Sequence, residues 1–181
     1  MPDTVVLIGF MGCGKTSLGK YAARTLGMGF VDTDEAIEAQ TGCSIPQIFA
    51  KRGEEEFRRI ESEILQRCCI TGGQVVATGG GIVKNPENIA LLRRYGARTI
   101  WLKVSPEEVY DRLKSDESRP LLADVQGAQR LERIRRLMQE REELYRNAAD
   151  AVFTEEGIPR EELGEQFVQW LRAKRIIEKI G

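Results

Sequence analysis

Five short β-branched runs separated by stretches of helical spacing predict an α/β fold. Runs of this buried type imply a parallel sheet of five strands with helices on both faces, three layers in all. A third observation agrees: the first run ends at a glycine-rich turn that opens a helix. With 181 residues, the chain is expected to form a single domain over 1–181.

The elements follow in order. Thr4–Ile8 is the first strand, and Lys15–Leu26 a helix with Leu18, Ala22 and Leu26 on one face. Phe30–Asp32 is a second strand. Ser44–Ala50 and Glu54–Cys68 read as a short and a longer helix, and Gln74–Thr78 as a strand that ends at three glycines. Asn85–Tyr95 is helical, Thr99–Val104 a strand, and Pro106–Lys114 a helix. Ser115–Gly127 is polar and without period. Ala128–Asn147 is a long helix, Ala151–Thr154 the last strand, and Arg160–Ile180 the last helix.

Composition excludes several chemistries. There is no histidine, which removes a histidine general base, a Ser-His triad and any histidine-ligated metal. Lys plus Arg is 27 and Asp plus Glu 28, for a net charge of −1, so nothing favours nucleic acid or an anionic membrane. No apolar run reaches the roughly 18 residues of a membrane span. The four cysteines, Cys13, Cys43, Cys68 and Cys69, form no CxxC pair. Reduced thiols in the cytoplasm are expected.

The strongest motif is Gly9-Phe10-Met11-Gly12-Cys13-Gly14-Lys15-Thr16, which fits G-x-x-x-x-G-K-[ST] between a strand and a helix. Its glycines let successive N–H groups turn inward on phosphate oxygens, and the helix start adds its positive dipole end. Lys15 is placed to reach the β- and γ-phosphates, and the Thr16 hydroxyl to ligate Mg²⁺.

Asp32 and Asp34 flank Thr33 after the second strand. Two apart on extended chain, both carboxylates are expected to point one way at the sheet's C-terminal edge, where ligands bind in open α/β sheets. One carboxylate would help hold Mg²⁺ and the other accept a substrate hydroxyl. The competing reading is capping, with Thr33 or Asp34 as N-cap of a short helix through Ala36–Ala39.

Two helices carry charge on an apolar face. Phe57, Ile60, Ile64, Leu65 and Cys68 form a stripe with Glu61 near its middle and Arg58 toward one edge, while Arg59 falls opposite. Arg58 and Glu61 make either a structural ion pair or a pair in which Glu61 steadies a guanidinium facing an anion. Leu131, Ile134, Leu137, Met138, Leu144 and Tyr145 form a second stripe with Arg141 near its centre. Two core-facing arginines beside a phosphate loop point to an anionic second substrate.

Gly79, Gly80 and Gly81 allow close backbone approach to a ligand. The stretch 115–127 has the length of a lid, and Arg119 within it would arrive over the γ-phosphate.

The series GFMGCGKTS, VDTDE, FRRIE, GGG, RPLL and REELYR resembles shikimate kinase from Thr4 to about Leu171. The resemblance implies a P-loop NTPase fold of the nucleoside-monophosphate-kinase type. It also implies transfer of the γ-phosphate of ATP to the 3-hydroxyl of shikimate, in aromatic amino-acid biosynthesis. Carried over by motif, Gly12, Cys13, Gly14, Lys15, Thr16 and Ser17 would cradle ATP, with Thr16 on Mg²⁺ and Asp32 near its hydration shell. Asp34 would bind the ring hydroxyls and assist deprotonation. Arg58 and Arg141 would hold the carboxylate, and Gly79, Gly80 and Gly81 would line the pocket. Arg119 would be the lid arginine, and Arg112 and Pro159 would enclose adenine. ATP and shikimate are the expected partners of a cytoplasmic monomer. The stretch Thr154–Pro159 departs from the family, with Glu155 and Glu156 where members often carry basic residues. Two rival readings are another small-molecule kinase of the same fold, such as a gluconate kinase, and a nucleotide-binding switch with no acceptor.

Overall fold

A computed structural model of the chain describes residues 4–116, 120–122 and 124–177. Strand β1 (Val5–Ile8) lies at the centre of the sheet, and its sequence explains why. All four side chains are aliphatic and fully buried. Val5 and Leu7 enter one core, Val6 and Ile8 the other, so the strand is covered on both faces. The remaining strands are β2 (Gly29–Asp32), β3 (Gln74–Ala77), β4 (Arg98–Lys103) and β5 (Ala151–Thr154). All pairings are parallel, in the order β2-β3-β1-β4-β5. The expected five-stranded parallel sheet is present.

Helix α1 (Lys15–Leu26) follows β1, α2 (Thr33–Thr41) follows β2, and α3 (Ile45–Thr71) leads into β3. Then come α4 (Pro86–Arg94), α5 (Pro106–Leu113), α6 (Gly127–Ala148) and α7 (Leu163–Ala173). One core lies under α1 and α7, and the other under α3, α4 and the C-terminal half of α6. Among the described residues, no helix is long and apolar enough to cross a membrane.

Register positions the chemistry. Leu7 and Asp32 both pair with Ala77, on either side of β3. Gly9, Asp34 and Gly79 each lie two residues beyond this level. Three separate segments therefore meet at one point on the C-terminal edge of the sheet.

Several boundaries differ from the sequence reading. The capped helix after β2 runs from Thr33 to Thr41, and its N-cap is Asp32, whose carboxylate accepts the N–H groups of Asp34 and Glu35. The last helix spans Leu163–Ala173, shorter than expected, and stops before Arg175 takes a positive φ of 53°. Leu144 is exposed, so the buried stripe of α6 is instead Arg130, Ile134, Arg141, Tyr145 and Ala148.

The two helices expected around Gly53 form one element with a break at that residue, at φ 81° and ψ 172°. This region of backbone space is open essentially to glycine alone. A Cβ at Gly53 would meet no atom within 4 Å, so any penalty comes from the backbone itself. Gly53→Ala is expected to cost about 1–3 kcal/mol. Urea unfolding would show it as a lower midpoint at unchanged slope.

Candidate active site

The phosphate loop needs its glycines. Gly9, Gly12 and Gly14 have φ of 149°, 74° and 88°, values that side chains rarely adopt. Gly14 is the N-cap of α1, and the first turn of the helix holds no acidic residue and no side-chain cap. Its N–H groups and dipole end are left for an anion. The Lys15 ammonium is buried within the loop and donates to the carbonyls of Gly9 and Phe10, both at 2.8 Å. Cys13 is buried against it, with its sulfur 3.5 Å from Nζ, whereas Ser17 is exposed.

Asp32 and Asp34 diverge rather than point together. The strand ends at Asp32 and Thr33 is already helical, so the two-residue period of a strand does not apply. The Thr16 hydroxyl donates to Asp32 Oδ2 at 2.7 Å. Asp34 instead turns to the next strand, where its Oδ1 lies 2.9 Å from the position a Cβ would take on Gly79. Thr33, fully buried between them, accepts the Gly79 N–H at 3.1 Å.

The glycines after β3 form a bed for the charged groups. A Cβ on Gly79 would also come within 3.1 Å of Glu61 Oε1. One on Gly81 would lie 2.7 Å from Arg58 Nη2, and one on Gly80 3.4 Å from both Gly9 O and Met11 N. Asp34, Glu61, Arg58 and the phosphate loop thus all lean on bare backbone.

Arg58 and Glu61 are joined, Nη1 to Oε2, at 2.7 Å. Glu61 is fully buried and Arg58 half-buried, with Glu54 on its exposed side. Burial pushes the Glu61 carboxyl above its ordinary value, and Asp34 pushes the same way against the pull of Arg58. Its Oε1 has no hydrogen-bond partner among the described residues. Arg59, as expected of a solvated residue, pairs outside with Glu56 and Glu63.

Arg141 reaches the same glycines from α6. It is largely buried, its guanidinium lies 5.5 Å from the Phe10 ring centroid, and Nη1 is 3.4 Å from the Gly80 carbonyl. The Tyr145 hydroxyl donates to that carbonyl at 2.6 Å.

On the other side of the phosphate loop, Arg112 donates to the Gly12 carbonyl at 3.1 Å and pairs with Glu155 at 2.5 Å. Glu155 is buried, with Oε1 unpartnered among the described residues and 3.5 Å from the Cβ position of Gly14. Glu155 is thus the arginine's partner, while Glu156 and Pro159 are exposed. Arg119 lies outside the described residues. The flanks of its segment are tied to α6: Arg130 donates to the Asp116 carbonyl, Arg133 pairs with Asp124, and Leu122 is buried.

Among the described residues, no three acidic or thiol groups cluster as a metal cage. The Thr16 hydroxyl beside the Asp32 carboxylate is a hard-oxygen pair too small to enclose an ion. That pair suits Mg²⁺, which keeps waters and takes phosphate oxygens.

A phosphate loop facing a bed of carboxylate and guanidinium groups is the geometry of a small-molecule kinase, and comparison with known proteins decides which kind. The family model for shikimate kinase matches residues 11–172. The chain belongs to the shikimate kinase family. Shikimate kinase from Thermodesulfovibrio yellowstonii is 44% identical over 165 residues, 91% of this chain and 92% of that one. The structure of shikimate kinase from Acinetobacter baumannii in complex with shikimate superposes with a TM-score of 0.84 at 31% identity, over 97% of this chain and 96% of that one. Shikimate kinase from Bacteroides thetaiotaomicron gives 0.85 at 30%, over 95% and 97%. Like the rest of the shikimate kinase family, the chain is a kinase of nucleoside-monophosphate-kinase-like fold.

Four participants escaped the sequence reading: Thr33, Tyr145, the buried Arg130 and the role of Glu155. Thr33 and Glu155 stood in view as a cap candidate and a departure. Arg130 and Tyr145 share the α6 stripe, where only Arg141 stood out.

The Arg58–Glu61 pair predicts a pH-dependent loss. In Arg58→Met the buried Glu61 carboxyl loses its cation, so its folded-state pKa rises further above the unfolded value. A raised folded pKa contributes stability below the unfolded pKa, near 4.5, and that contribution is lost as pH rises through the folded pKa. The variant is expected to fall below wild type by about 3 kcal/mol at pH 8 and under about 1 kcal/mol at pH 5. Urea unfolding at both pH values checks this, and adding Glu61→Gln should abolish the difference between them.

Proposed function

We propose that the chain transfers the γ-phosphate of ATP to the 3-hydroxyl of shikimate, giving shikimate 3-phosphate and ADP. One observation carries this reading. Asp34, Arg58 and Arg141 converge on Gly79–Gly81, and Gly80 lies against the phosphate loop. A ring bearing hydroxyls and a carboxylate needs an acceptor for the former and guanidinium groups for the latter. The shikimate bound in the structure from Acinetobacter baumannii supports the same acceptor.

The roles follow from position. Gly12 to Ser17 cradle the triphosphate, and Lys15 exchanges its loop carbonyls for the β- and γ-phosphate oxygens. Asp34 accepts the 3-hydroxyl proton and orients its oxygen toward the γ-phosphorus. Arg58 and Arg141 fix the carboxylate, in fork geometry where it is available. Gly79, Gly80 and Gly81 line the pocket as backbone. Arg112, steadied by Glu155, and Pro159 flank adenine. Thr16, with Asp32 behind it, would hold Mg²⁺, which would supply charge neutralisation at the phosphates. Residues 115–127 serve as lid and bring Arg119 to the γ-phosphate, which excludes water and suppresses ATP hydrolysis. Positioning and charge neutralisation do most of the work, because phosphoryl transfer needs little covalent chemistry. Cytoplasmic residence as a monomer completes the proposal. The free thiols of all four cysteines support a reducing compartment.

The test is ADP release with ATP and Mg²⁺, with shikimate, gluconate or a nucleoside monophosphate as acceptor. Stimulation by shikimate alone is expected, and stimulation by gluconate alone would sink the assignment. Asp34→Asn is expected to lower kcat by about 10²-fold or more while leaving ATP binding nearly intact. Transfer at wild-type rate in that variant would remove Asp34 from the mechanism.

A further inference from the structure

The carbonyl of Gly80 occupies a junction. Its residue lies against Gly9 and Met11 of the phosphate loop, and it is flanked by the glycines that bed Asp34, Glu61 and Arg58. Two side chains from α6 reach it, one helical turn apart. The Tyr145 hydroxyl donates at 2.6 Å, and Arg141 Nη1 at a looser 3.4 Å. Tyr145 is 2% exposed, and its ring stacks on Trp101 with centroids 5.8 Å apart, so the hydroxyl is held in place from behind. A buried phenol needs a partner, and this one has found the glycine loop.

We infer that Tyr145 is a positioning residue for the acceptor half of the site: by satisfying the Gly80 carbonyl, it leaves the Arg141 guanidinium free to turn to the carboxylate of the acceptor. The inference rests on the function proposed above. The hydroxyl also engages the Arg141 guanidinium, and without it the donor left beside the Gly80 carbonyl, among the described residues, is Arg141. An unpaired buried carbonyl is costly, so Arg141 would close on it. Acceptor binding would then have to draw the guanidinium away again. The triphosphate contacts, which lie on the loop and α1, make no such demand. Burial pushes the Tyr145 phenol up to about 12, so it remains a donor throughout the range of a kinase assay.

Tyr145→Phe keeps the ring and its stacking and removes the hydroxyl alone. Initial rates at varied shikimate and varied ATP are compared for wild type, Tyr145→Phe, Arg141→Lys and the double variant. Tyr145→Phe is expected to raise the shikimate KM about 5- to 10-fold, the scale of one hydrogen bond, with the ATP KM within about twofold of wild type. The double variant is expected to be no worse than Arg141→Lys by more than about twofold, because both changes act on one guanidinium. An unchanged shikimate KM, a rise in both KM values together, or fully additive effects would each overturn the inference. Phe167→Leu, in the core under the opposite face of the sheet, controls for general loosening. It should leave the shikimate KM alone, and a rise there equal to that of Tyr145→Phe would also overturn the inference. Failure of the wild type to respond to shikimate would instead strike the proposed function itself.

Discussion

The contact on which the site depends is between two stretches of bare backbone. Gly80 approaches Gly9 and Met11 so closely that a Cβ would sit 3.4 Å from each of two main-chain atoms. Parallel register brings the stretches together, since β1 and β3 end within one residue of one another. The Thr78 N–H and hydroxyl both donate to Leu7 O and close the gap just before the glycines begin. The phosphate loop and the glycine loop after β3 are thereby held a fixed distance apart. For a reaction that runs on alignment rather than covalent help, this spacing sets what the surrounding side chains can accomplish.

Charge is then laid on this bed in an order that burial dictates. Glu61 lies deepest, Arg58 over it, and Glu54 at the surface. A fully buried carboxylate is expensive, and one cation beside it does not bring its pKa back to an ordinary value. Thr33 resolves a similar problem without charge. It is buried at the start of α2 and spends its hydroxyl on the Gly79 N–H, which joins the second strand's exit to the third's.

The sheet was legible because its strands are short, aliphatic and buried on both faces, as Val5–Ile8 illustrates. Helical periodicity likewise placed Glu61 and Arg141 inside, where the structure has them. Leu144 failed because a stripe drawn at 100° per residue is wider than the strip of α6 that meets the sheet. Arg130 failed for the opposite reason. It begins the stripe where long side chains are ordinarily solvated, yet the Asp116 carbonyl holds it in. The pairing of Asp32 and Asp34 was misjudged by one residue of strand. Once Asp32 turns to cap α2, its neighbour two along follows helical geometry and faces another strand. Contacts such as Tyr145 to Gly80 span 65 residues and leave no local trace.

One device occurs twice. On one side of the phosphate loop a buried glutamate grips Arg58, and on the other a buried glutamate grips Arg112, at 2.7 and 2.5 Å. Each glutamate has one oxygen engaged and the other without a partner among the described residues. Stability alone does not explain such pairs, since an apolar pair of equal volume commonly serves as well or better. What each does supply is direction. A guanidinium gripped through one nitrogen cannot swing freely, and its remaining donors face a predictable way. Glu155 does this from a loop where a basic residue would have repelled Arg112. The buried carboxylate thereby holds the arginine against the phosphate loop, where it also donates to the Gly12 carbonyl.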